Sequence, residues 1–367
     1  MKKDFLEYGF RLCDNVIEKF PDGVISPNAK LFTYHHGVLL SGMEKMSVLG
    51  NREKYEEYIR LWVDNMLSED GIKSDMGKGW CSLESLDFRQ PAILLFNLYK
   101  KTADEKYAKV IRYLVESLKE FPVTEKGSFW HAAYCPNEVW LDGLYMASPL
   151  MAMYAKEFGQ VEFFDMAVKQ VVTMYETMKD ERGLLHHGYD CTKQAIWADR
   201  ETGYSPEVWG RAIGWFVVAI AEILECLPKE HAGYDQLVKI EQDILHVVCR
   251  YQHESGRWFQ VLDRVDDERN WLENSATSLI VAALAKSIRM EILPKSFIEN
   301  VERGLNGVLE TVRVEDNQVI LPEICVGTCI DSGTAEHYFG RATTSNDMHG
   351  TGAFLMMLAE AGRILNK

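Results

Sequence analysis

The chain has 367 residues, 47% of them hydrophobic and 26% charged, with a formal net charge of -15. That is ample for a large core, and an acidic excess unbroken by any basic run excludes a nucleic-acid partner. The longest apolar runs, such as 92–96 and 216–221, are too short to span a bilayer, which excludes a membrane partner of that kind.

The chain starts Met1-Lys2-Lys3-Asp4-Phe5-Leu6-Glu7, with acids where a signal peptide needs an apolar stretch, so the expected location is the cytoplasm. From there on, apolar period gives helix after helix and almost no strand. Amphipathic segments run over about 4–20, 52–68, 104–120, 160–178, 233–252 and 294–312. In the second of these, Tyr55, Tyr58, Ile59, Trp62 and Met66 form one stripe, with Glu56, Glu57, Arg60 and Asp64 opposite. Thr102-Ala103-Asp104-Glu105 supplies a capping box at the start of the third. Between these segments lie others that are apolar nearly all round, at 36–46, 91–99, 141–155, 210–227, 275–288 and 350–364. Helices apolar on every face must be surrounded by protein, and small residues such as those in Gly210-Arg211-Ala212-Ile213-Gly214 let neighbours approach closely. Six amphipathic helices alternating with six buried ones form a repeat of helical hairpins. An open solenoid would need polar end caps, whereas here the last helix is a buried one. The expected fold is therefore all-α, an (α/α)6 barrel, formed by a single domain over 1–367. An irregular helical bundle is the alternative.

No linker or low-complexity tract interrupts the chain. Eight cysteines are scattered without a Cys-x-x-Cys pair, and only Cys325 and Cys329 lie close together, so reduced thiols are expected ahead of a zinc site. His-Glu-x-x-His, Gly-x-Ser-x-Gly and Walker patterns are missing, and neither metal nor cofactor is expected.

The connections entering the buried helices, about 21–36, 69–88, 121–141, 179–209, 253–274 and 313–349, are long and open on one end of the barrel. They hold His35, His36, His131, His186, His187, His253, His337 and His349, and also Trp80, Trp130, Trp140, Trp197, Trp209, Trp258 and Trp271. Flat aromatics together with polar groups suit a sugar-binding cleft for a small oligosaccharide. His35 and His36 are expected to divide the labour, one pointing inward and one packing. Asp87 stands just before Pro91, which suits the first turn of a helix, and Asp142 stands at the mouth of the next buried helix. Each Asp has two readings, a helix cap or one of two converging carboxylates, and the apolar surroundings of Asp142 favour the second. Arg211 and Trp215 share a helix face, and a buried Arg needs an anion. That anion is either Asp190, Asp199 or Glu207 within the protein, or a substrate carboxylate.

Trp-Leu-Asp-Gly-Leu-Tyr-Met (140–146), His-Gly-Tyr-Asp (187–190), Trp-Ala-Asp (197–199) and Trp-Gly-Arg-Ala-x-Gly-Trp (209–215) resemble the unsaturated rhamnogalacturonyl hydrolases of glycoside hydrolase family 105. So do Tyr-His-His-Gly (34–37), Gly-Ser-Phe-Trp-His (127–131), Asn-Ser-Ala (274–276) and Ser-Asn-Asp-x-x-Gly (345–350), so that the likeness spans nearly the whole chain. The family lies close to the unsaturated glucuronyl hydrolases, and its (α/α)6 barrel agrees with the helix count. The resemblance implies hydration of an unsaturated uronyl disaccharide left by a polysaccharide lyase: an acid protonates C4 and water adds at C5. It implies that Asp142 is the general acid and then the base, with Asp87 as the second aspartate. Tyr34, His131, Trp140, His187, Arg211 and Trp215 become substrate-binding residues. Such an acid must hold its proton near neutrality, and burial beside a like-charged Asp87 is expected to outweigh the opposing helix dipole at Asp142. The segment 327–339 departs from the family pattern. Rhamnose as the second sugar is therefore a family default, and glucuronyl disaccharides of other polysaccharides stay open. An inverting glycosidase, a sugar epimerase using histidines, or a non-catalytic sugar binder could occupy the same barrel. Oligomeric state is unknown from sequence.

Overall fold

In the computed structural model, residues 5–25, 32–68, 71–72 and 83–366 are described; Trp80 and Cys81 lie outside them. The helical periodicity is realised as twelve long helices among these residues. Six amphipathic ones form the outer layer: α1 (Phe5–Lys19), α3 (Glu53–Met66), α5 (Glu105–Glu116), α7 (Glu162–Met178), α9 (Tyr234–Cys249) and α11 (Ile298–Leu309). Six buried ones form the inner layer: α2 (Tyr34–Gly50), α4 (Ile93–Thr102), α6 (Asp142–Phe158), α8 (Gly210–Cys226), α10 (Asn274–Arg289) and α13 (Met348–Leu365). A short α12 (Ala335–Phe339) sits in the last long connection. Each inner helix packs on the next, α2 on α4, α4 on α6, α6 on α8, α8 on α10 and α10 on α13, and α13 returns to α2. The ring is closed, an (α/α)6 barrel.

Local chemistry explains the layers. On α3, Tyr55, Tyr58, Ile59, Trp62 and Met66 are all buried. Their stripe is stitched to the end of α1 where the Tyr55 and Tyr58 hydroxyls donate to the carbonyls of Phe10 and Phe20. In α8 every residue from Gly210 to Ala221 is buried, as its sequence requires. At the seam between the first and last inner helices, a Cβ on Gly352 would stand 2.3 Å from the carbonyl oxygen of Val38, and one on Gly42 2.5 Å from that of Gly352. Only glycine permits that approach. The cap of α5 is Asp104, whose carboxylate accepts from the Lys106 N–H, and not the expected Thr102. Thr102 still belongs to α4 and bonds back to the carbonyl of Leu98, because Ala103 ends α4 in the left-handed region.

All six inner helices run the same way. Their C-termini meet short connections at one end, the floor, and their N-termini meet the long connections at the other, the mouth. The mouth connections contain antiparallel pairs of two or three residues, too short to leave a period in the sequence. No helix among the described residues is long and apolar enough to cross a membrane.

Candidate active site

One of those small pairs builds the site. Glu138–Trp140 pairs with Gly188–Asp190 in the register Trp140 to Gly188, which ties the connection before α6 to the connection before α8. The N–H of Leu141 donates to the carbonyl of His187, so His187 sits beside the first residue of α6, Asp142. His187 Nε2 lies 3.0 Å from Asp142 Oδ2. Asp142 therefore does not cap its helix: its carboxylate is turned to the imidazole.

The second carboxylate comes from the connection before α4. The Leu86 N–H donates to the carbonyl of His131, placing His131 Nε2 3.7 Å from Asp87 Oδ1. Gly143 lets this layer come close, since a Cβ there would meet Leu86 at 3.0 Å and His131 at 3.5 Å. The His131 ring stacks on Trp140 at 4.2 Å, almost parallel, and Trp140 meets His187 edge-on. Asp87, His131, Trp140, His187 and Asp142 thus form one continuous wall. Tyr34, on the first turn of α2, lies within the electrostatic reach of both aspartates and meets the His35 ring at 3.9 Å, tilted by 33°.

Arg211 enters from α8 and is buried. It pairs with none of the three acids that the sequence offered: Asp190 binds the backbone of 192–195, Asp199 a turn at 201–202, and Glu207 pairs with Arg264. Instead the guanidinium donates to the carbonyls of Cys325 and Val326 and lies over the Trp209 ring. Its charge is held by dipoles, and among the described residues no carboxylate forms an ion pair with it. Trp215, one turn further along α8, packs against Tyr145 and not against Asp142 or His187.

The two carboxyls titrate in opposite directions. Burial, opposed by His131 and assisted by the charge of Asp142, holds Asp87 above the ordinary range. Burial pushes Asp142 up as well, but His187, through charge and hydrogen bond, with His131 and Arg211, outweighs it and the net shift is downward. This reverses the expectation for Asp142: the sequence shows a neighbouring Asp but does not show the imidazole that folding brings to it. Burial lowers His187, so near neutrality it is a neutral ring.

Several of the gathered histidines and tryptophans turn out to support the site from behind. His36 packs on Trp62 and bonds to the carbonyl of Ile25, whereas His35 faces Tyr34 and His349. His349 is held by Asp347 and the carbonyl of Cys325, and Trp258 is fully buried on the carbonyl of Val248. Two participants were not singled out from sequence. Tyr338 on α12 brings its hydroxyl 2.6 Å from His187 Nδ1, and Ile330 packs with Trp197 and Trp140 to close one side of the wall. Both belong to the individual segment 327–339, where no period or motif marks them. Among the described residues no three His, Cys, Asp or Glu side chains gather as a metal site.

A closed six-hairpin barrel with two carboxylates, histidines and a tryptophan at its mouth defines a glycoside hydrolase. Residues 10–365 match the profile of Glycosyl Hydrolase Family 88. A solved structure described as a family 105 glycoside hydrolase from C. acetobutylicum ATCC 824 is 32% identical, with a TM-score of 0.90 over 97% of this chain and 99% of that one. The unsaturated rhamnogalacturonyl hydrolase YesR of Bacillus subtilis is 27% identical over 80% of this chain and 79% of its own length. Protein Atu3128 of Agrobacterium fabrum is 28% identical over 59% of this chain and 98% of its own. The chain belongs to the family 88/105 group of unsaturated glycuronyl hydrolases.

Proposed function

We propose that the barrel, acting as one catalytic domain over 1–367, hydrates the C4=C5 double bond of an unsaturated uronyl disaccharide, with unsaturated galacturonyl-rhamnose as the default substrate. The Asp142 and Asp87 pair on the shared His131–Trp140–His187 wall carries this reading. The acid adds a proton to C4, and water, giving up its own proton to a base, adds its hydroxyl to C5. The hemiketal so formed opens by breaking the bond from C5 to the ring oxygen. C1 is left as a hemiacetal that releases the second sugar as an alcohol.

The residues divide this work by position. Asp142 is the acid that protonates C4 and, once ionised, the base toward water. It must first gain a proton, and a bound uronate favours this: it brings a second negative charge and displaces water, both of which raise a carboxyl pKa. Asp87, which burial pushes upward while Asp142 is drawn down, takes up a proton more readily than its neighbour in the same wall. Trp140 offers its face to a sugar ring, and Tyr34, His131 and His187 offer hydrogen bonds. Arg211 brings a positive charge to the mouth, held by backbone carbonyls and acting on Glu273 and Asp142 without a direct ion pair among the described residues. The inner-helix N-termini face the same end, and one within a turn of the anion adds about 0.3–1 kcal/mol. Together they offset locally the net charge of -15. Trp215 stacks on Tyr145 one turn along α8 from Arg211. The cytoplasm is the proposed location.

The opposite shifts of the two carboxyls favour a second assignment, in which Asp87 delivers the proton and Asp142 acts only as base. One experiment tests both. The ultraviolet absorbance of the conjugated double bond is followed on unsaturated galacturonyl-rhamnose with native protein, Asp142→Asn and Asp87→Asn. Native protein bleaches the signal, and Asp142→Asn slows it by roughly 10²–10⁴. Loss of the alkaline limb of the pH profile in Asp87→Asn assigns the proton to Asp87, and its retention assigns it to Asp142. If native protein leaves that substrate unsaturated but bleaches glucuronyl disaccharides, the default sugar is wrong. Cleavage of saturated glycosides with no bleaching of either refutes the hydration reading.

A further inference from the structure

We propose that Tyr338 is a positioning residue for the reaction: its hydroxyl, donating to His187 Nδ1, fixes the imidazole with its single proton on Nε2, aimed at Asp142. The inference rests on Asp142 being a group that moves protons, as argued above.

A neutral imidazole has one N–H and one bare nitrogen, and the partner of one nitrogen decides the state of the other. Here Tyr338 Oη is 2.6 Å from Nδ1 and Asp142 Oδ2 is 3.0 Å from Nε2. The two ends are not equivalent. An ionised Asp142 can only accept, so Nε2 must donate, and Nδ1 is then left bare and needs a donor. Tyr338 is that donor, its phenol kept protonated by burial. Tyr338 and His187 are both fully buried, so no solvent competes for either bond.

The geometry around this chain is fixed. The Trp209 ring lies 4.6 Å from His187 and 5.8 Å from Tyr338, packed against both. The carbonyl of Tyr338 accepts from Gln260, and Thr334 caps the short helix at His337. The charged and titratable groups facing the chain are Asp87, His131, Arg211 and Tyr34 around Asp142, and Glu207, Cys325, Cys329 and His337 beside Tyr338. Among the described residues no other group donates to Nδ1. The segment that departs most from the family pattern therefore reaches the reacting carboxyl through one hydroxyl.

Tyr338→Phe keeps the ring and deletes the bond. Nitrogen-15 NMR of the substrate-free protein should show His187 with the proton on Nε2 in the native chain and a mixture of tautomers in Tyr338→Phe. On the unsaturated disaccharide kcat should fall roughly tenfold, the scale of one hydrogen bond, with KM unchanged. Tautomer mixing removes part of the donor that holds Asp142 ionised. Its pKa therefore rises, and the alkaline limb of the profile moves to higher pH. A fluorinated tyrosine at 338, a stronger donor of nearly the same shape, should move the limb to lower pH; it also replaces Tyr338→Phe should that variant fail to fold. A native-like tautomer in Tyr338→Phe, or an unshifted limb beside a simple loss of activity, overturns the proposal. If the native chain bleaches no unsaturated uronide while the tautomer still shifts in Tyr338→Phe, the functional reading fails and the Tyr338–His187 assignment survives.

Discussion

The mouth and the floor of this barrel are built from the same six inner helices, yet they treat charge in opposite ways. At the floor, Lys286 is almost wholly buried and meets both Glu222 and Glu225 at 2.7 Å. Lys45 reaches Glu222 from α2, and Arg289 joins Glu225 to Glu360 of α13. Every charge in that cluster has an opposite partner, and the cations lie near helix C-termini, where the dipole favours them. At the mouth the aspartates stand at or before helix N-termini, but the balance is left incomplete. Among the described residues, Asp87 has only a distant His131 as an ionic partner, and Arg211 has carbonyls in place of a carboxylate. A site that must welcome an anion and move a proton cannot also be neutralised in advance. The floor, with no such task, can be.

The largest stability effect should come from the floor. Lys286→Met leaves two carboxylates short of their buried partner, and breaking such a pair costs about 3–5 kcal/mol. Denaturant melts would measure this, and a loss below 1 kcal/mol would show that the floor is not the clamp described here. Burial alone would raise Glu222, but Lys286 and Lys45 pull it from 4.5 down to about 2. Its share of stability is thus present above pH 4.5 and fades as the pH falls toward 2. In Lys286→Met that acid-sensitive share should shrink.

At the mouth the sign reverses. Asp87→Asn should cut activity about a hundredfold, the lower range for a lost acid–base group, and yet raise the melting temperature at pH 7. The sign follows from the upward shift of Asp87. Its contribution to stability is complete below the unfolded-state pKa and is lost as the pH rises through the folded-state value, so at pH 7 the native carboxylate is a burden. The gain should therefore vanish in melts run below about pH 4, the ordinary range of an Asp. A melting temperature lowered at pH 7 would refute the contrast.

The smallest effect should be at the floor's exposed rim. Lys156 lies in the last turn of α6 and donates to the carbonyl of Glu225. Lys156→Gln should cost about 0.5 kcal/mol in low salt and less in high salt, with kcat unchanged. A change in kcat would mean that floor and mouth are coupled.

Much of this was legible in the sequence, because helix period is local. The stripe on α3 and the all-round burial of α8 are written in residues a few positions apart, and alternation of the two kinds is enough to close a barrel. Asp87 and Asp142 could be chosen for the same reason, each standing at the entry to an apolar helix. What escaped detection depended on contacts far apart in the chain. The imidazole of His187 reverses the titration of Asp142 across 45 residues, and Tyr338 reaches His187 across 151. Of the partners open to Arg211, the internal acids do not pair with it, and the backbone carbonyls that hold it carry no side-chain signature. The surplus of His and Trp in the mouth connections misled in a subtler way. It pointed to the mouth, where Asp87, His131, Trp140, His187 and Asp142 are gathered, but residues such as Trp258 and His36 are buried behind that wall.

The glycine seam between α2 and α13 bears on how the chain folds. The two helices that touch there are the first and last of the inner layer, so the contact closes a loop made of nearly the whole chain. Loop-closure entropy grows only slowly with length, so the cost of the join is modest, but it falls due after the intervening hairpins have formed. Until then the last hairpin has one inner face uncovered, and a nascent chain on the ribosome must carry that apolar face exposed. Gly42 and Gly352 make the join narrow enough to be all or nothing, so the barrel is expected to complete itself in a single late step, with α13 seating against α2.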